Sequence, residues 1–272
     1  MTVRPVRSSD SAPARSTTCL TTPTTPGART GVGVVVPCDM AMDRELWRWA
    51  PDDVDLYVTR LASTPTEITV DTVARMGDAD LVAGSVAALV PVQPAATLYA
   101  CTSGSFVHGR AGEQALVRAM TRAGAARAVT TSGALLEAVH HLGVASVAVA
   151  TPYDGEVTTR LAAFLAEDGI NVVGGSNLGM RHDISAVPYE VTAQLVRDAD
   201  RDAAEAIIVS CTNLPTYDLI CDLERELGKP VVTANQASMW AVLAVAGRRA
   251  HGPGQRLLDV APRTETPDGA GA

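Results

Sequence analysis

The sequence predicts an α/β protein made of two similar parallel-sheet α/β subdomains related by a pseudo-two-fold, with the active site in the cleft between them. Three observations lead there. Short apolar runs alternate with helical patterns, one set of landmarks recurs in the same order in each half, and each recurrence ends on Cys-Thr. The apolar runs fall at 32–36, 55–59, 97–100, 128–130, 146–150, 171–173, 206–209 and 231–233. They are continuous rather than alternating, as in parallel strands covered on both faces. Helical stretches lie between them, among them 154–167, 191–198, 216–227 and 236–246. Folds of this kind bind ligands at the carboxyl ends of strands.

The repeat is read from four landmarks. Val34-Val35-Val36-Pro37-Cys38-Asp39 ends one strand, and Val149-Ala150-Thr151-Pro152-Tyr153-Asp154 ends another. Later in each half a strand runs into Tyr99-Ala100-Cys101-Thr102 or Val209-Ser210-Cys211-Thr212. Pro37 to Cys101 is 64 residues and Pro152 to Cys211 is 59. The expected organisation is a disordered leader at 1–30, a first subdomain at 31–125 plus 234–250, a second at 126–233, and a disordered tail at 251–272. The leader is Arg-rich and acid-poor, as transit peptides are, but has no amphipathic helix and no apolar core of a secretory signal.

Composition narrows the function classes. The chain has 272 residues, is 47% hydrophobic and only 4% aromatic, so its core is built from Ala, Val, Leu and Ile. A net charge of −8 with no Lys/Arg block argues against nucleic acid as a partner. No apolar run reaches the roughly 18 residues of a membrane span. Five cysteines without CxxC do not form a disulfide framework, and the five histidines show no metal-ligand spacing, so no metal site is expected. Reduced thiols in the cytoplasm are the reading. Gly31-Val32-Gly33 lacks the third glycine of a dinucleotide fingerprint.

Cys101 and Cys211 carry the chemistry. Inverting a carbon beside a carboxylate needs a base on one face and an acid on the other, and two facing thiols supply both. Thiol pKa values lie near about 8.5 and fall where donors stabilise the thiolate. Such donors are expected from Thr102, Ser103 and Gly104 after the first cysteine and from Thr212 and Asn213 after the second, where they would also hold a substrate carboxylate. A lone strand-end cysteine is often only a small buried hydrophobe. Two in matching contexts favour chemistry.

At these residues the chain resembles the aspartate/glutamate racemase superfamily, and within it the maleate cis-trans isomerase and arylmalonate decarboxylase branch with the ectoine-utilisation isomerase-like proteins. The resemblance spans about 31–247 and is carried by Gly33-Val34-Val35-Val36-Pro37, Ala100-Cys101-Thr102-Ser103-Gly104-Ser105-Phe106, Thr151-Pro152-Tyr153, Ser210-Cys211-Thr212-Asn213 and Pro230 to Ala237 with Trp240. It implies catalysis by Cys101 and Cys211 without cofactor or metal, a small carboxylate substrate, a role for Tyr153 at a substrate carboxylate, and a homodimer. The function expected is a cofactor-independent isomerase or racemase. The alternatives are an arylmalonate-type decarboxylase or a non-catalytic small-acid binder. In arylmalonate decarboxylases the first cysteine position is typically Gly, so Cys101 counts against decarboxylation.

Two departures bear on the substrate. Asp39 and Asp183 stand where the resemblance leads one to expect Asn. An ionised Asp accepts hydrogen bonds but does not donate them. A dicarboxylate such as maleate is then disfavoured, and a monocarboxylate with a hydroxyl, amide or ammonium group fits better. The alternative is that both residues cap helices or face water. Among weaker candidates, Thr131-Ser132-Gly133 reads as an N-cap, Gly174-Gly175 as a turn, and His108 and Arg110 as solvated.

Overall fold

The computed structural model describes residues 29–62 and 67–259. The leader at 1–28, Cys19 within it, and the tail beyond 259 lie outside the described residues. The first half contains β1 (Thr30–Val36), α1 (Asp43–Trp47), β2 (Val54–Arg60), α2 (Val70–Met76), α3 (Ala79–Ala87), β3 (Ala96–Tyr99), α4 (Thr102–Phe106), α5 (Gly109–Arg122), β4 (Ala128–Thr130) and α6 (Thr131–Leu142). The second contains β5 (Ser146–Thr151), α7 (Gly155–Glu167), β6 (Asn171–Asn177), α8 (Tyr189–Ala199), β7 (Ala206–Val209), α9 (Ile220–Leu227) and β8 (Val231–Thr233), followed by α10 (Ala234–Val245) and α11 (Arg256–Asp259).

Each half is a four-stranded sheet. The orders are β2-β1-β3-β4 and β6-β5-β7-β8, so each half arranges its strands alike. Every pairing is parallel. The central strands read as unbroken apolar runs because helices cover both faces: β3 and β7 are buried along their whole length. Helix starts follow side-chain caps. Thr130 caps α6, Asp154 caps α7, and Thr233 forms a reciprocal capping box with Gln236 at α10.

Four boundaries differ from expectation. β4 pairs with β3, so the first sheet runs past residue 126 and the halves divide after it. Thr30 already belongs to β1. The expected tail is ordered as far as 259: Leu257 is buried, and Gln255 accepts from both Trp49 Nε1 at 3.0 Å and Gln236 Nε2 at 2.9 Å. Gly174-Gly175 is not a turn but part of β6. A Cβ on Gly175 would sit 2.6 Å from the Val149 carbonyl oxygen, so glycine there lets two strands approach closely.

One apolar core joins the halves, with α10 packed against α6, β3, β4 and β8. A second, smaller cluster lies under β1, α3 and α5 and includes Tyr99 and Cys101. Cys211 belongs to the shared core.

Candidate active site

Both cysteines sit just past the carboxyl end of the third strand of their half. Cys101 is two residues beyond Tyr99, the end of β3, with ordinary extended backbone (φ −141°, ψ 110°) at the N-cap of α4. Cys211 follows β7 with φ +102°, a region that L-residues rarely enter. Such a conformation costs about 1–3 kcal/mol and persists only where the surroundings hold it.

The two thiols line one small cavity of about 20 Å³, room for roughly one water. The first half contributes Pro37, Asp39, Met40, Ile68, Met76, Thr102 and Ser103 to it, and the second Tyr153, Thr212 and Asn213. Thr102 Oγ1 is buried without a hydrogen-bond partner. Gly104 lies against the Cys101 sulfur, where a Cβ would come within 3.0 Å of Sγ and 2.6 Å of the Tyr99 hydroxyl. Among the described residues, Asp39 is the one charged side chain lining the cavity, and no Arg, Lys or His joins it.

The segment after Cys211 is bonded repeatedly to the first half. Thr212 Oγ1 donates to the Ala100 carbonyl at 3.2 Å, beside Cys101. Asn213 Oδ1 accepts from Ala41 N at 2.9 Å, and its Nδ2 donates to the Asp39 carbonyl at 3.2 Å. Both ends of the Asn213 amide are thus used in holding the 39–41 loop. Its backbone N–H, 3.4 Å from Cys211 Sγ, is what faces the chemistry. Glu45, on α1, accepts from Thr216 N and Tyr217 N, each at 2.6 Å.

Burial dominates the electrostatics. It pushes Cys101 up to about 11, against hydrogen bonds from the Tyr99 hydroxyl, the Gly104 N–H and Ser103. It pushes Cys211 up to about 12, against bonds from Tyr153 and the Asn213 N–H. The expectation of lowered thiol pKa values is therefore corrected: the donors are in place, but removal from water outweighs them. Tyr99 and Tyr153 are raised well above the ordinary phenol range by burial and by the thiols they touch. Burial also raises Asp39, partly offset by Arg60.

Of the residues singled out in the sequence, Cys101, Thr102, Ser103, Tyr153, Cys211, Thr212, Asn213 and Asp39 meet at the cavity, with Gly104 behind the first sulfur. Asp183 does not. It is exposed at φ +54°, heading a short 3₁₀ turn outside the cavity. The Thr131-Ser132 segment buttresses the first thiol: Ser132 Oγ donates to the Thr102 carbonyl and Thr131 Oγ1 to that of Tyr99. Arg110 lies instead in an open groove of about 490 Å³ between α5, α6 and β4, paired with Glu113 and Asp168. Sequence reading missed Tyr99, Glu45, Ile68 and Met76. Tyr99 had a signal: two residues from Cys101 on a strand, it shares that residue's face. Ile68 and Met76 reach the cavity by tertiary packing alone. Among the described residues no cluster of His, Cys, Asp or Glu is placed to hold a metal, no disulfide joins Cys38, Cys101, Cys211 and Cys221, and no helix is long and apolar enough to cross a membrane.

Two four-stranded parallel lobes that meet at a shared cleft place the chain in the class of two-lobed α/β enzymes that holds the arylmalonate decarboxylases and maleate isomerases. The model of the arylmalonate decarboxylase family matches residues 57–258, and the chain belongs to that family. It is 41% identical over 165 residues to the arylmalonate decarboxylase of Bordetella bronchiseptica, covering 58% of this chain and 68% of that protein. It is 28% identical over 158 residues to the maleate isomerase of Nocardia farcinica, covering 55% of this chain and 63% of that one. Among solved structures, a liganded arylmalonate decarboxylase with two substitutions, one placing Cys for Gly and one Ser for Cys, superposes with a TM-score of 0.78 at 30% identity, over 85% of this chain and all of that one. The maleate isomerase of Pseudomonas putida S16 with maleate shares the fold at a TM-score of 0.76 and 24% identity, over 86% and 98% of the two chains.

Proposed function

We propose that this chain is a cofactor-independent isomerase or racemase of a small carboxylate, with Cys101 and Cys211 as its acid–base pair. The observation that carries the reading is that two thiols from different halves line one cavity, with Asp39 and Tyr153 the other titratable side chains there among the described residues. One cysteine, as thiolate, takes the proton from the carbon beside the carboxylate. The other, as thiol, delivers a proton to the opposite face, and the pair ends with its roles exchanged. Each thiol's charge disfavours that of the other, which suits a state with one proton between two sulfurs. Their raised pKa values make the thiolate scarce but strongly basic, closer to the weak carbon acid it must deprotonate. The unpartnered Thr102 hydroxyl is a donor suited to a substrate oxygen. For an unsaturated acid the same thiolate adds to the double bond, rotation follows, and elimination returns the thiolate.

Asp39 shapes the substrate class. With no cation lining the cavity, a second substrate carboxylate there is repelled, whereas a hydroxyl, amide or ammonium group finds an acceptor. The test is exchange in heavy water across a panel of small carboxylates. Deuterium entering the carbon beside the carboxylate, or cis-trans turnover, supports the reading; neither, across hydroxy acids, amino acids, amides and enoic acids, overturns it. A decarboxylase is the second reading, favoured by the 41% identity to the Bordetella enzyme. It needs one proton donor, so release of CO₂ from a disubstituted malonate that survives Cys101→Ser would establish it. A reaction that needs free thiols suits a cytoplasmic setting, where thiols stay reduced.

A further inference from the structure

We infer that Glu45 is a positioning residue for Cys211, acting from the other half through Asn235; this rests on Cys211 being a reacting thiol. Glu45 is a carboxylate 4% exposed to solvent, outside the cavity, and has no part in the chemistry described above. Its side-chain bonds lead to the segment that follows Cys211, directly or through Asn235. Oε1 accepts from the backbone N–H groups of Thr216 and Tyr217, each at 2.6 Å, and from the Thr216 hydroxyl at 3.4 Å. Oε2 accepts from Asn235 Nδ2 at 2.6 Å, and the same Nδ2 donates to the Thr212 carbonyl at 2.9 Å. One buried anion on α1 therefore grips both ends of the stretch 212–217. That stretch begins beside the residue whose backbone sits at φ +102°.

Only an acceptor at both oxygens satisfies this set of donors. An amide in place of the carboxylate turns its NH₂ toward either the two backbone N–H groups or Asn235, so one donor meets another. Relaxation of the stretch returns residue 211 toward ordinary φ and moves its sulfur relative to the cavity. Cys101 has further supports of its own beyond the Thr212 bond to the Ala100 carbonyl: Ser105 Oγ donates to the Cys101 carbonyl at 2.6 Å, and Tyr99, beside its thiol, donates to the Met76 carbonyl at 2.5 Å.

The experiment compares wild type, Glu45→Gln and Asn235→Ala. Iodoacetamide labelling of Cys101 and Cys211 is resolved by mass spectrometry, and steady-state exchange is measured on a carboxylate that the wild type turns over. The expected result is a change of more than fivefold in the Cys211 labelling rate with Cys101 within twofold, and kcat reduced at least tenfold with KM within threefold. Glu45→Asp, which keeps two acceptor oxygens, recovers part of the loss. Equal changes at both thiols, or none at either, in whichever variant folds cooperatively, overturns the inference. If wild type turns over no carboxylate, the two-thiol reading fails instead, and the labelling ratio still decides the role of Glu45. Unfolding of both variants under conditions where wild type is stable also overturns it, since the carboxylate is then a general structural support.

Discussion

The two cysteine-bearing strand ends descend from one pattern but are built differently. Cys101 has relaxed backbone, lies in the smaller core of its own half, and is supported mainly by first-half neighbours. Cys211 is at φ +102°, lies in the shared core, and is followed by a segment tied to the first half through Ala100, Asp39, Ala41 and Glu45. Each is also served by a different tyrosine: Tyr99 reaches Cys101 from its own strand, and Tyr153 reaches Cys211 from the loop after β5. A repeat supplies two thiols, and the packing between the halves then makes them unequal.

The sharpest way to break this comparison is to remove each sulfur. Cys101→Ser and Cys211→Ser should each lower exchange by on the order of 10²–10⁴-fold, the range of a positioned acid or base. Both should unfold at denaturant concentrations close to wild type. Activity retained in one of them means that a single thiol suffices. Next in size, Tyr153→Phe should slow thiolate-dependent labelling of Cys211 about tenfold, because losing a donor to a charged group raises the thiol further. Cys101 should be little affected, and Tyr99→Phe should change Cys101 less, because the Tyr99 hydroxyl proton goes to the Met76 carbonyl.

The pH dependence is finer. Labelling of both thiols should rise with pH across neutrality and keep rising well past pH 9, Cys101 levelling near pH 11 and Cys211 near pH 12. Because both values lie above the ordinary 9.0, the folded state holds these protons more tightly than the unfolded chain. That contribution to stability is full below pH 9 and is lost as pH rises toward 11–12. A transition set by thiols that titrate below pH 9 would contradict it. The smallest effect concerns backbone. Cys211→Gly relieves its φ and Cys101→Gly relieves nothing, so urea unfolding should show the former less destabilised by about 1 kcal/mol. Equal loss would mean that the strain at Cys211 carries no energetic weight.

Much of this was legible in the chain. The inner strands announce themselves because parallel strands covered on both faces leave mostly apolar letters, as in Ala206–Val209. β6 was cut short at 173 because Gly174-Gly175-Ser176-Asn177 carries no apolar signal, although it pairs with β5. The cysteines and their Thr neighbours were readable because the pattern occurs twice. Asp183 was misplaced because sequence proximity to Pro188-Tyr189-Glu190 says nothing about which side of a loop faces the cleft. Glu45 was invisible: one of two acids on a five-residue helix becomes a buried support only when residues 171 and 190 positions away fold over it.

The size of the cavity bears on where a product's hydrogen comes from. A space of about 20 Å³ leaves the two sulfurs facing little more than a single water while the site is closed. On the two-thiol reading a substrate enters and leaves only when the site opens, and each opening lets solvent exchange the thiol protons. The hydrogen in each product then comes from the solvent by way of a sulfur, not from the substrate that went before.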